Sequence, residues 1–189
     1  MKKQNTISCG FAIASLFLAG SAFADNKYSP SGGAGLSAGD WLVGFSGSYN
    51  YLSTDEGSLS AFTVNVDASY FLEDNISVGL NTFGIFIPSA GLPEDSGYAI
   101  GFEPNLRYYF PNDSPYLPYV GVHGGLGYLD FGDDSETIGT YGLAVGVVVP
   151  IGESSYFNAE LKWTEFETSD DVDLNLTAIQ VLLGFKVKF

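Results

Sequence analysis

The side chains able to do chemistry in this chain are few. Charged residues make up 15% of its 189, and acids outnumber bases by 22 to 7. The single histidine, His123, is the only side chain whose unperturbed titration falls near neutral pH. Its neighbours along the chain, Gly121, Gly124, Gly125 and Gly127, offer no nucleophile. Covalent catalysis needs a nucleophile beside a general base, and this surrounding supplies none. His123 is therefore read as a hydrogen-bonding residue. The remaining candidates are Asp67, Glu103, Arg107, Glu160, Lys162 and Lys186, isolated charges within otherwise uncharged or apolar segments. Their available chemistry is mutual pairing, because single buried charges are expensive.

The elements that position these residues are strands, since apolar side chains recur at every second position. In the last segment Ile179, Val181, Leu183, Phe185, Val187 and Phe189 form one face, while Gln180, Gly184, Lys186 and Lys188 lie on the other. The same alternation gives Trp41, Val43, Phe45, Tyr49 and Tyr51, then Phe62, Val64, Val66, Ala68 and Tyr70. Further strands carry Ile76, Val78 and Leu80, then Tyr98 to Phe110, Val120 to Tyr128, Tyr141 to Val149, and Phe157 to Trp163. In the strand that begins at Ile76, Phe83, Ile85 and Ile87 put bulk on the polar face, and a bulge near Gly84 would restore the register. Eight antiparallel strands, each long enough for the roughly 9 to 11 residues of a tilted membrane strand, predict an all-β, up-and-down transmembrane barrel.

Alternation alone leaves open which face points inward, since a soluble lipocalin-like barrel alternates too. Three features favour apolar-outward. The less apolar face is built largely of Gly, Ser, Ala and Asn, where a solvated face would carry many Lys and Glu. Aromatics such as Trp41, Tyr51, Tyr70, Tyr98, Phe110, Tyr128, Tyr141 and Phe189 fall towards strand ends, as interfacial girdles require. Compact turns alternate with acidic loops, giving the two rims different characters. By parity Asp67, Glu103, Arg107, His123, Glu160, Lys162 and Lys186 then point into a lumen just wide enough to be filled by side chains. The expectation is one charge network around Arg107, with Glu103 and Arg107 beside His123, and Glu160 with Lys162. Two uses stay open: filling the lumen, or a switchable gate for protons or small ions.

Residues 1–24 read as a secretory signal peptide: a basic start at Lys2 and Lys3, a short apolar run, and Ala22-Phe23-Ala24 before the cut. Cys9 leaves with it, so the mature chain has no disulfide and no cysteine metal site. Residues 25–39, rich in Gly, Ser and Ala, are expected to be a flexible periplasmic leader to a barrel over 40–189. The formal net charge of −15 makes nucleic acid an implausible partner. No cofactor and no resident metal are implied. The acidic loops carrying Asp130, Asp133, Asp134 and Glu136, and Asp170, Asp171 and Asp173, are candidates for divalent cations or for cation bridges to lipopolysaccharide. They lack EF-hand spacing, and a solvated acidic rim is the favoured reading.

The segments Leu106-Arg107-Tyr108-Tyr109-Phe110-Pro111 and Pro118-Tyr119-Val120-Gly121-Val122-His123-Gly124-Gly125-Leu126-Gly127-Tyr128 resemble a hairpin of small outer-membrane barrels of the OmpX and OmpW kind. A chain ending on Phe189 after alternating apolar residues also resembles the last strand of such proteins. The resemblance implies insertion in the outer membrane, with Phe185, Val187 and Phe189 read by the barrel-assembly machinery, and contact with lipid and lipopolysaccharide. Likeness to OmpX implies a non-enzymatic role in envelope integrity, adhesion or interaction with host factors. Likeness to OmpW implies a narrow transporter for small hydrophobic or cationic solutes, to which Phe83, Ile85 and Leu182 on the inner face would be suited. A lipid A deacylase would carry a His-x-Ser arrangement, and here Gly125 stands two residues beyond His123.

Overall fold

The computed structural model describes residues 35–54, 57–88, 97–130, 135–168 and 175–189. The expected signal peptide and most of the leader lie outside these residues. Eight strands follow one another: β1 (Trp41–Thr54), β2 (Gly57–Glu73), β3 (Ile76–Ile87), β4 (Gly97–Tyr109), β5 (Leu117–Asp130), β6 (Ser135–Pro150), β7 (Ser155–Thr168) and β8 (Asn175–Lys188). Each pairs antiparallel with the next, and β1 pairs with β8 to close the barrel. Closure leaves no sheet edge where the seam is paired, as a lipid environment demands. Phe189, just past β8, completes it: its N–H donates to the Trp41 carbonyl at 3.0 Å, and the Trp41 N–H donates to the Phe189 carbonyl at 3.1 Å. The seam is paired at six positions, from Leu42 opposite Lys188 to Gly47 opposite Leu183.

The faces divide as alternation requires. Phe45, Val64, Ile100, Leu126, Leu143 and Phe185 stand on the outer wall, each about half exposed or more, whereas Leu42, Phe71, Ser69 and Ser77 inside are fully buried. A soluble barrel would invert this arrangement. Trp41 stacks near Tyr70 at 5.2 Å and Tyr108 near Phe110 at 5.2 Å on the terminal side, and Tyr49 lies 4.9 Å from Phe62 on the far side. Aromatic rings thus mark both levels where a bilayer would end.

No bulge occurs at Gly84. β3 keeps continuous register with β4 from Ile76 opposite Tyr108 to Ile87 opposite Gly97. Phe83 instead turns into the lumen, 6% exposed. It fits because it faces Gly101 across the ladder, where a Cβ would collide with its ring at 2.5 Å. The register shift falls between Phe71 and Glu73, beside the Asp74-Asn75 turn.

On the terminal side the connections are short: the Asp74-Asn75 turn, residues 110–116, and residues 151–154. Asn112 pins the second, its Nδ2 donating to the Phe110 and Tyr116 carbonyls, both at 3.0 Å. Residues 35–39, expected to be flexible, are tied across this mouth. Gly39, at φ +94°, donates its N–H to the Phe71 carbonyl at 2.9 Å, and the Ala38 N–H donates to Asp74 Oδ1 at 3.0 Å. Lys188 Nζ donates to the Gly35 carbonyl at 2.7 Å. Leu36 packs on a buried cluster of Leu42, Phe71, Tyr109, Leu117, Tyr119, Val148 and Tyr156 that fills the terminal end of the lumen. Removing that apolar surface from water adds to these hydrogen bonds in holding the segment in place.

Candidate functional site

Above the apolar plug the lumen carries a belt of paired charges. Arg107 on β4 reaches across to β2, where Nη1 donates to Asp67 Oδ2 at 2.8 Å and to Ser69 Oγ at 2.9 Å. Its Nη2 lies 3.4 Å from Glu160 Oε2 on β7. Lys186 on β8 donates to the other Asp67 oxygen at 2.5 Å. The Tyr119 hydroxyl donates to Glu160 at 2.6 Å, and its ring lies under the Arg107 guanidinium, 5.5 Å from centroid to Cζ. A second group centres on Glu103, which pairs with Lys162 on β7 and accepts from Asn81 Nδ2 at 2.9 Å. Asn81 also donates to Asn65 Oδ1 at 3.1 Å.

The expected single network around Arg107 is thus two groups, and the pairing differs from the one sequence order suggests. Glu160 joins Arg107, while Lys162 joins Glu103. Glu160 and Lys162, two apart on one strand, point the same way but are spaced by roughly 6 to 7 Å along it, and in a narrow lumen the partner on a facing wall is closer. Asp67, Glu103 and Glu160 balance Arg107, Lys162 and Lys186 in number, and all six are at most 6% exposed. Each buried charge therefore has an opposite partner, which offsets its desolvation.

No hydrogen bond joins His123 to Arg107, although both line one cavity. It faces Asn105 and Gly142 across the ladders. Its Nε2 lies 3.2 Å from Thr164 Oγ1 and 3.9 Å from Glu103 Oε1. Hydroxyl and carboxylate approach the same ring nitrogen. A catalytic triad instead places them on opposite nitrogens, the carboxylate orienting the ring that the hydroxyl uses as a base.

Sequence reading misses Tyr109, Tyr119 and Tyr156, all buried in the plug. The available signal is the glycine pattern. Arg107 faces Gly121, Tyr119 faces Gly146, His123 faces Gly142 and Lys186 faces Gly44. A Cβ at Gly146 would sit 2.5 Å from the Tyr119 ring and hydroxyl, and one at Gly142 would sit 2.8 Å from His123 Cε1. Large inward side chains lie flat over glycines of the adjacent strand.

The remaining candidates are scattered. Phe185 and Val187 stand on the outer wall, Phe185 against Phe45 at 6.1 Å and Phe157 at 5.8 Å, and Phe189 is 75% exposed. Asp130 accepts from the Tyr98 hydroxyl at 3.3 Å, and Glu136 lies opposite Leu129. Asp133, Asp134, Asp170, Asp171 and Asp173 lie outside the described residues. Among the described residues no cluster of three or more His, Cys, Asp or Glu could hold a metal ion.

No family model matches the chain. Its sequence is 25% identical to outer membrane protein AlkL of Ectopseudomonas oleovorans, over 79% of this chain and 78% of that one. Its fold is similar to Neisserial surface protein A (NspA), with a TM-score of 0.67 and 17% identity over 81% of this chain and 99% of that one. It is also similar to Ail, the attachment invasion locus protein of Yersinia pestis, solved with the heparin analogue sucrose octasulfate. There the TM-score is 0.55 and the identity 12%, over 80% of this chain and 99% of that one. An apolar outer wall between aromatic girdles, a lumen of paired charges and these likenesses converge: the chain is a small eight-stranded β-barrel protein of the outer membrane.

Proposed function

We propose that this barrel is non-enzymatic and serves the envelope through its wall and outer rim, as a structural or surface-interaction protein, and that it conducts nothing through its lumen. One observation carries this reading: the lumen is stopped twice, by the Leu42, Phe71, Tyr109 and Tyr156 plug and by the charged belt above it. Cavities beside the belt are about 10 Å³ each, about room for one water. His123 and Thr164 face this closed interior, where lipid substrates do not reach. Residues 1–24 direct export and are removed after Ala24, and insertion follows recognition of Phe185, Val187 and Phe189 by the assembly machinery. With the termini inside the periplasm, the outer loops near residues 51–60, 88–97, 129–137 and 165–174 contain acids and no Lys or Arg. Such a rim repels sulfated ligands such as the sucrose octasulfate found with Ail and suits cationic partners, or lipopolysaccharide phosphates through divalent cations.

Planar-bilayer recording tests the reading. Wild type and Arg107→Ala are expected to give silent traces, and regular conductance steps in wild type would contradict it. Steps seen in Arg107→Ala alone would make the belt a gate.

A second reading, a narrow transporter for small hydrophobic solutes, has one feature in its favour. Phe83, Ile138 and Leu182 turn apolar surface into the lumen among Thr63, Thr140 and Gln180, and the β1–β8 ladder stops at Gly47 opposite Leu183. Faster uptake of an apolar solute into proteoliposomes than into empty vesicles would support it.

A further inference from the structure

Two cavities flank the charged belt. One is bounded by Asn65, Asp67, Asn81, Arg107, Glu160 and Lys186, the other by Glu103, Asn105, His123, Glu160 and Lys162. Each is about 10 Å³, about the size that admits one water and nothing larger. In the first, Asn65 is 2% exposed; its Oδ1 is taken by Asn81, and its Nδ2 has no hydrogen-bond partner among the described residues. In the second, neither amide atom of Asn105 has such a partner. Asn65 stands on β2 and Asn105 on β4, so the same combination of water-sized space and unanswered amide arises twice. Leaving a buried donor unanswered is costly.

We propose that each cavity is a binding site for one structural water, held by the Asn65 amide in the first and the Asn105 amide in the second. Each water donates onward to a lining carboxylate, Asp67 or Glu160 in the first and Glu103 or Glu160 in the second. Charge selects water over a cation. The six charged side chains already cancel, and Arg107 and Lys186 at the first site and Lys162 at the second repel a further positive ion. Asn65 is already bonded to Asn81 of the Glu103 group, so the first water, donating to Asp67 or Glu160, joins that group to the Arg107 group in a single hydrogen-bonded belt. Water here replaces side-chain contacts that the strand geometry does not supply.

The inference rests on cavity geometry and is separable from the proposal of a closed lumen. Water-to-protein magnetisation transfer is measured by proton-detected NMR on nitrogen-15-labelled full barrel in lipid bilayers. Asn81 is the internal reference, because its Nδ2 donates to Asn65 Oδ1 and Glu103 Oε2. Transfer to the Asn65 and Asn105 side-chain amides is expected to be at least several-fold stronger than to Asn81, and unchanged by added sodium or rubidium chloride. An Asn65→Leu sample identifies the resonance, and the wild-type measurement stands without it. Absent transfer at Asn65 and Asn105 overturns the water sites and leaves the closed lumen intact. Transfer abolished by salt overturns them in favour of a cation. Equal transfer at Asn81 means bulk water in the lumen and overturns both proposals.

Discussion

Arg107 and Gly121 face one another across the β4–β5 ladder, and a Cβ at Gly121 would lie 2.9 Å from Arg107 Cγ. The guanidinium reaches Asp67 and Glu160 because the strand beside it presents no side chain. Gly121→Ala is therefore expected to push Arg107 off its partners and to cost about 1 to 3 kcal/mol, as overpacking does. Gly84→Ala, where nothing lies within 4 Å, should change stability by no more than about 0.5 kcal/mol. Urea unfolding in lipid vesicles checks both, and equal midpoints for the two variants would contradict the packing argument.

Removing one member of a buried ion pair should hurt more than removing both. Lys162→Met leaves Glu103 buried with Asn81 and is expected to cost about 3 to 5 kcal/mol. Adding Glu103→Gln to it should recover a large part of that loss. A double-mutant cycle on the same unfolding assay reads the coupling, and strictly additive effects would mean the pair is not coupled.

The Tyr119 hydroxyl donates to a carboxylate in a buried setting, at 2.6 Å. Tyr119→Phe keeps the ring over Gly146 and removes that bond together with the hydroxyl's longer contact to Asn158 Oδ1 at 3.1 Å, for an expected loss of about 1.5 to 3 kcal/mol. A change below about 0.5 kcal/mol, the level of an inert surface substitution, would contradict it.

Leu36, Ala38 and Gly39 close the terminal mouth by contacts with the plug, Asp74 and the Phe71 carbonyl. Leu36→Ser with Asp74→Ala should release residues 35–39, so that amide exchange at Gly39 speeds up while exchange in β4 and β5 stays slow. Unchanged exchange at Gly39 would show that something else holds the segment.

The strands are legible because period-two alternation is strong wherever one face meets lipid and the other a crowded interior. Phe185 and Val187 against Gly184 and Lys186 need no tertiary information. Phe83 breaks the pattern, and its inward position depends on Gly101 of the neighbouring strand, which intrastrand periodicity does not contain. Parity likewise sends Arg107, Glu160 and Lys162 inward but cannot say that Glu160 meets Arg107 and Lys162 meets Glu103, since that choice is made across the lumen. Composition makes residues 35–39 look free, and Leu36 finds its apolar contact in a plug assembled from six strands that meet at that end.

Which face of β8 meets lipid is read by a nitroxide scan along Ile179 to Phe185 in reconstituted bilayers, through collision with oxygen dissolved in the lipid. High oxygen accessibility is expected at Ile179, Val181, Leu183 and Phe185 and low accessibility at Gln180, Leu182 and Gly184. The opposite alternation, with Val181 and Phe185 shielded and their neighbours exposed, would contradict it.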